Sequence, residues 1–304
     1  MLALGNRSGS RCGVTIAYSS SMTIPRVTRF DHAVIAVKDL DAAIETYRNL
    51  GFAVSPGGRH TGRGTHNAIV RFGLDYLELI AVHDERLARS AGGNVMDLLD
   101  YLERSDGGPL GFALAAAELD EIARSWSSDL APAGIPVSME RVRPDGVRLE
   151  WRLLIPGGSA WRKPWPFLIE WGTPDSERLQ RDSPGAHHNG ALGVAGVTVL
   201  HAKASRVVDL YTRDLGLAID RRSDSSDWMA LKLGRTTIEL GTPSTATQQT
   251  VLEREGPGLF EVLLSVSDLA ATARSVGVEP DGEGRIVLPP DRACGATLAF
   301  VERG

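Results

Sequence analysis

The chain has 304 residues, 42% of them apolar and 23% charged, and a formal net charge of −5. That length exceeds one ordinary small core, and the mix excludes wholesale disorder. The negative balance, with arginines scattered rather than striped, excludes an electrostatic footprint for nucleic acid.

In chain order, residues 1–24 lack periodicity and are rich in Ser, Gly and Arg, which predicts a disordered arm, with Met22 as an alternative start of translation. The first strand is RFDHAVIAV (Arg29 to Val37), followed by a helix with Ile44, Tyr47 and Leu50 at helical spacing and a stop at Gly51. Three strands, FAVSP, THNAIVRF and DYLELIAV, come next, and a connector over 83–108 carries an extra helix, NVMDLLDYLE. The strand–helix pattern returns from Leu110, with Leu119, Ile122, Trp126 and Leu130 on one helix face and a stop at Gly134. IPVSMERV, VRLEWRLLIP and PFLIEW then read as strands, and the polar joint TPDSERLQRDSPGAHHNG marks a boundary. A third copy starts at Val194, stops its helix at Gly216 and continues through LAIDRR, DWMALKL and TTIEL. After a second polar joint, a shorter fourth copy starts at Gly258, stops its helix at Gly277 and ends in RIVLPP and ATLAFV.

The copies share one grammar of strand, capped helix and late strands, and IEWGTP (Ile169 to Pro174) recurs as IELGTP (Ile238 to Pro243) where a unit closes. The predicted fold is α+β, four βαβββ units, with one pair over 25–175 and a second pair over 191–304. Cys12 and Cys294 have no metal or redox spacing, so no disulfide framework is expected and a reducing, cytoplasmic setting is. No run has the length to cross a bilayer, and the first residues lack the compact apolar block of a secretion signal.

This array resembles the vicinal oxygen chelate superfamily, which includes glyoxalase I, bleomycin-resistance proteins and extradiol dioxygenases. The first half is similar to a glyoxalase-like domain through FDHAVIAVKDLDAAIETYRNLGF, GRGTHNAIVRFG-LDYLELIAV, RPDGVRLEWRL and PFLIEW. The resemblance implies that paired units curl into two half-open barrels, with a metal ion or ligand held in a cleft by the first and last strands of each unit. It places His32, Glu78, Gly111 and Glu170 at the four equivalent positions of the first pair, and Gly196, Glu239, Glu261 and Ala299 in the second. The implied metal ligands are His32, Glu78 and Glu170, a donor set suited to Mg, Mn, Fe(II), Ni or Zn, with Glu170 as the catalytic proton shuttle.

A second reading of the same residues is a hydrogen-bonded polar network in a barrel without metal, which Gly111 at a ligand position favours. For Glu239 and Glu261 a structural role is expected. Strand alternation allows either His66 or the pair Thr65 and Asn67 to face the cleft, and the family pattern favours Thr65 and Asn67 as ligand-binding groups. His60 also stands beside the Gly-rich turn and could complete a site, whereas His187 and His188 in the polar joint read as solvated. Trp151 and Trp171 belong to strands, while Trp161 and Trp165 fall in the loop GGSAWRKPWP, which predicts a lid over an apolar or aromatic ligand. Arg152 or Arg162 would reach a carboxylate of that ligand.

Three functions stay open at this level. One is a divalent-metal-dependent lyase, isomerase or dioxygenase acting on a small oxygenated molecule; the second is a metal-free protein that sequesters an apolar or aromatic compound; the third is a degenerate structural subunit. A small-molecule partner is expected, without nucleic acid or membrane, in a monomer or homodimer.

Overall fold

A computed structural model describes residues 26–223 and 227–303. The predicted arm, the alternative start at Met22 and Cys12 lie outside the described residues. The first unit begins with β1 (Val27–Val37), whose last eight residues are all buried because both faces of the strand are covered. Asp39 then caps α1 (Leu40–Asn49) by accepting from the Ala42 amide at 3.0 Å, and Leu40, Ala43 and Tyr47 face the core. Three strands complete the unit: β2 (Ser55–His60), β3 (Thr65–Arg71) and β4 (Tyr76–Val82). β2 starts later than FAVSP predicts, since Phe52 and Val54 are buried in the core.

The connector holds two helices, α2 (Glu85–Ala91) and α3 (Asn94–Arg104), of which only the second was expected. The second unit runs through β5 (Gly107–Ala116), α4 (Leu119–Ser125), β6 (Val137–Val142), β7 (Arg148–Leu154) and β8 (Phe167–Trp171). Here the helix ends at Ser125, nine residues before Gly134, which sits in a loop at φ 79°. The cause is tertiary: Asp214 of the third unit accepts from the Ser127 amide at 2.7 Å and from its hydroxyl at 2.8 Å, and the Trp126 indole donates to Ala131 O at 2.7 Å. Leu130 is therefore left exposed instead of completing a helix face.

These eight strands form a closed barrel in the order β1-β4-β3-β2-β6-β7-β8-β5. β1 lies parallel to β4, with Val34 opposite Glu78, and antiparallel to β5, with Val34 opposite Gly111. The barrel predicted as half-open is closed by a short seam, Arg59 opposite Val142 and His60 opposite Arg141. Gly58 permits that approach, because at its φ of 125° a Cβ would stand 2.6 Å from Val142 O.

The second half comprises α5 (Asp175–Arg181), β9 (Ala191–Leu200), β10 (Ala218–Arg222), β11 (Trp228–Leu233) and β12 (Thr236–Gly241). It continues through α6 (Ala246–Glu255), β13 (Gly258–Val266), α7 (Leu269–Val276), β14 (Ile286–Leu288) and β15 (Thr297–Glu302). Its third-unit helix is a π-helical turn over Leu210–Asp214. The strands make a seven-stranded sheet, β10-β11-β12-β9-β13-β15-β14, with β10 and β14 at its edges. The fourth unit has one strand fewer than the others, so no second seam forms among the described residues.

One apolar core joins the two halves, including Phe112 and Leu77 on the outer side of the barrel and Val197 and Phe300 from the sheet. A separate apolar cluster lies inside the barrel, with Val34, Ala113, Phe167 and Ile169. The barrel therefore has its own interior, backed from outside by the sheet. Among the described residues no helix is long and apolar enough to cross a membrane.

Candidate functional site

Strand alternation sends His32 and Val34 of β1, Tyr76, Glu78 and Ile80 of β4, and Thr65 and Asn67 of β3 into the barrel. All of these but Val34 border a cavity of about 360 Å³ whose remaining wall is mostly apolar, including Leu98, Phe167 and Ile169. His66 points outward and stacks edge-on against His83 at 5.4 Å.

The polar floor is a connected chain of side chains. Asp31, fully buried, accepts from His32 Nδ1 at 2.7 Å, which fixes the imidazole and turns its Nε2 toward Glu78 Oε2 at 3.5 Å. The His32 ring stacks on Tyr76 at 4.6 Å and meets the Phe167 ring at 5.5 Å, so it has one orientation. Glu78 Oε1 accepts from Asn67 Nδ2 at 2.5 Å, and Asn67 Oδ1 in turn accepts from Arg141 Nη1 at 2.6 Å. Arg141 has only donors, so it fixes the Asn67 amide with its NH₂ toward the carboxylate. His60 approaches from the other side, with Nε2 3.7 Å from Glu78 Oε1 and Nδ1 2.9 Å from Thr65 Oγ1. Burial pushes the His60 imidazole down to about 4, against the pull of Glu78 and with help from Arg141 and Arg63, so it is neutral at pH 7.

Asp31 is held by more than His32. Its Oδ2 accepts from Arg29 Nη1 at 2.7 Å and from the Trp171 indole at 2.9 Å, and Arg178 stands 3.7 Å away. Burial alone would raise its carboxyl, but the His32 hydrogen bond and the Arg29 and Arg178 charges hold it well below the usual carboxylate range. Asp31 is thus a permanent anion behind His32.

Several residues expected at the site lie elsewhere. Glu170 is on the outer face of β8: its Oε1 accepts from the Glu118 amide at 2.6 Å, and its Oε2 is 3.2 Å from Arg152 Nη1. The inward residues of β8 are Phe167, Ile169 and Trp171. A one-residue difference in phase moves a side chain to the opposite face, so Glu170 does not join His32 and Glu78. Arg152 is also outside, paired to Asp120 at 2.8 and 2.9 Å. Arg162, at φ 50°, donates to the carbonyls of Pro109, Glu255, Gly256 and Leu259 and ties the barrel to the sheet.

The Trp-containing loop divides. Trp161 borders the cavity with its indole N–H on Asn94 O at 2.7 Å, whereas Trp165 packs against the outer core and donates to Pro156 O at 3.0 Å. Trp151 is inward and meets Trp171 at 5.5 Å. Trp161→Ala is expected to weaken ligand binding by roughly tenfold or more with little loss of stability, and Trp165→Ala to lower stability while ligand affinity holds. Fluorescence titration and urea unfolding of both variants check this; equal effects on binding would reject the division.

The metal set implied by the resemblance does not fit these residues. Among the described residues no group of three or more His, Cys, Asp and Glu side chains is placed to hold a metal ion. Glu170 faces away, and one oxygen of Glu78 already accepts from Asn67. In the second sheet Glu261 receives two bonds from Arg285 Nη2, both 2.7 Å, so its charge is met within the protein. The equivalent Gly196 has no side chain to coordinate.

Sequence reading did not single out Asp31, Tyr76 or Arg141 for the site. Asp31 beside His32 was the available signal, a His preceded by an acid in an otherwise apolar strand. Arg141 had none, because its side-chain partner Asn67 lies 74 positions away on another strand.

The model of the glyoxalase-like domain family matches residues 30–215. Among solved structures, a hypothetical protein from Staphylococcus aureus superposes with a TM-score of 0.64 at 15% identity, covering 90% of this chain and 99% of its own. A mutant of 4-hydroxymandelate synthase from Streptomyces coelicolor gives 0.59 at 14% identity, covering 92% and 94%. A xylose isomerase-like TIM barrel/4-hydroxyphenylpyruvate dioxygenase fusion protein gives 0.50 at 12% identity, covering 92% of this chain and 50% of its own. None of the curated proteins matches the chain.

Proposed function

Because the chain belongs to the glyoxalase-like domain family, a family of vicinal oxygen chelate proteins, we propose that it is an enzyme that moves a proton on a small, largely apolar or aromatic, oxygen-bearing molecule bound inside the barrel. The observation that carries this reading is the Asp31–His32–Glu78 chain opening into the 360 Å³ apolar cavity. Asp31 keeps the proton of His32 on Nδ1, so Nε2 is the atom that takes or gives a proton at the cavity surface. Glu78 stabilises the imidazolium that results. Asn67 and neutral His60 offer hydrogen bonds to a substrate oxygen, and the apolar wall excludes water, which strengthens these interactions. A proton removed next to a carbonyl, as in lyase and isomerase chemistry, suits this arrangement. No step is assigned to a divalent ion, since the donor set does not assemble.

The experiment uses chelator-treated protein and a panel of aromatic carbonyl compounds beginning with 4-hydroxyphenylpyruvate. Quenching of Trp151, Trp161 and Trp171 reports binding, and exchange of the hydrogen next to the carbonyl in deuterated water reports proton transfer. Saturable exchange is expected at equal rate with and without added metal. Exchange that requires a stoichiometric divalent ion would overturn the metal-free reading. A second reading, sequestration without turnover, is favoured by the extent of the apolar wall; binding across the panel without any exchange would establish it instead.

A further inference from the structure

Arg141 has a problem that the site chemistry does not resolve. It is 5% exposed, the only hydrogen bond of its guanidinium among the described residues goes to the neutral Asn67 amide, and its Nε has no partner. It makes no ion pair with any described carboxylate. A buried guanidinium without an anion is costly, so a structure that keeps one there is arranged around a charge it lacks. Arg141 also borders two spaces: the apolar cavity, and a separate cavity of about 220 Å³ toward the other end of the barrel.

That second cavity is lined by three more guanidiniums, Arg71, Arg143 and Arg181, and by one carboxylate, Asp182. The single acid is shared: Asp182 is bonded to Arg143, which also pairs with Asp145 outside the cavity at 3.0 Å, and it lies 3.9 Å from Arg71. Arg181 turns to Glu177 on its own helix. Burial lowers Arg71, as expected where a guanidinium lacks sufficient counter-charge. The room for Arg141 comes from Gly57, where a Cβ would stand 2.0 Å from Asn67 Oδ1 and 2.5 Å from Arg141 Nη1. The chain has thus given up a side chain on β2 to seat an unpaired cation.

We propose that this arginine-lined cavity is an anion site that takes a compact oxyanion, a carboxylate or phosphate group, against Arg141, Arg71 and Arg143. Guanidinium forks match such groups, and a recess with one sign of charge concentrates them. The oxyanion is either a free ion or the acidic end of a molecule whose body lies in the apolar cavity, because Arg141 belongs to both walls.

The test titrates the full-length protein with inorganic phosphate at constant ionic strength, followed by calorimetry, with chloride as the reference. Saturable binding is expected, weakened at least about tenfold in Arg141→Gln and in Arg143→Gln and unchanged in Arg152→Gln, whose side chain lies outside the barrel. Arg143→Gln keeps the test valid should Arg141→Gln misfold, since Arg143 is only half-buried. Phenylacetate added to the phosphate complex identifies the source. Competition supports the acidic end of a barrel ligand, and independent binding supports a free anion. No saturable phosphate binding, or binding equal in all three variants, overturns the site, and either result leaves the proton-transfer reading untouched.

Discussion

Asp31→Ala is expected to destabilise the protein by about 3–5 kcal/mol, the largest effect of any single substitution at the site. The carboxylate is fully buried and serves His32 Nδ1, Arg29 Nη1 and the Trp171 indole at 2.7, 2.7 and 2.9 Å. Arg29 keeps a second acid, Asp175, and Arg178 retains the Trp171 ring at 3.8 Å, but the His32 and Trp171 donors have no replacement. Removing one acid therefore strands several buried donors at once. Urea unfolding measures the cost, and a loss below about 1 kcal/mol would show that water or a neighbour fills the role. Asp31→Asn separates shape from charge: it fits the space, yet it loses the anion that His32 and Arg29 require.

The same groups set the acid limit of stability. Asp31 is depressed in the folded state, so on acidification the unfolded chain takes up its proton first; the stabilisation is full above the ordinary carboxylate value of 3.8 and lost as pH falls further. His60 adds a second step of the same sign. Its folded value is about 4 against an ordinary 6.5, so the unfolded chain binds the proton from pH 6.5 downward and stability declines across that window. A His60→Gln variant should lose part of the decline between pH 6.5 and 4, the rest coming from His66 and His187, which burial also lowers, and keep the steeper loss below it.

His32→Ala is expected to reduce the deuterium exchange rate by roughly 10²–10⁴-fold while ligand affinity changes by less than about tenfold. Among the described residues, Nε2 of His32 faces the cavity and has its opposite nitrogen fixed by a buried acid, which makes it the proton-transferring atom of the proposed function. Glu78→Gln keeps the Asn67 contact sterically but removes the charge that favours the imidazolium, and should fall between wild type and His32→Ala. If His32→Ala abolished binding with the rate per bound ligand intact, His32 would be a ligand-gripping group and the acid–base assignment would fail. His60→Gln distinguishes the two imidazoles, because a neutral hydrogen-bonding side chain can replace it with a smaller loss.

Much of the architecture was legible in the sequence, because helix stops and capping acids are local. Asp39 and Asp268 cap their helices as the pattern required, and Gly51, Gly216 and Gly277 take positive φ after helical segments. Gly134 was different. Its helix ended early because Asp214, almost ninety residues away, captures the Ser127 amide, and no local signal encodes that contact. The phase of β8 failed to show for a related reason. FLIEW has large side chains on both faces, with Leu168 against the outer core and Ile169 inside, so the strand carries no apolar–polar contrast to orient Glu170. The pairing of Arg152 opposite Glu170 reveals the outer face only once the register of β7 and β8 is known.

The sequence by itself determined the repeated units, their order and the family, because hydrophobic period, caps and turn glycines act within a few residues of one another. Only the tertiary structure decided that the first pair closes into a barrel, that Glu170 lies outside it, and that His32, His60 and Asn67 surround Glu78 with Asp31 behind His32 and Arg141 behind Asn67. Those outcomes depend on strand register between distant segments, where a shift of one position exchanges interior for surface, and local composition does not encode that shift.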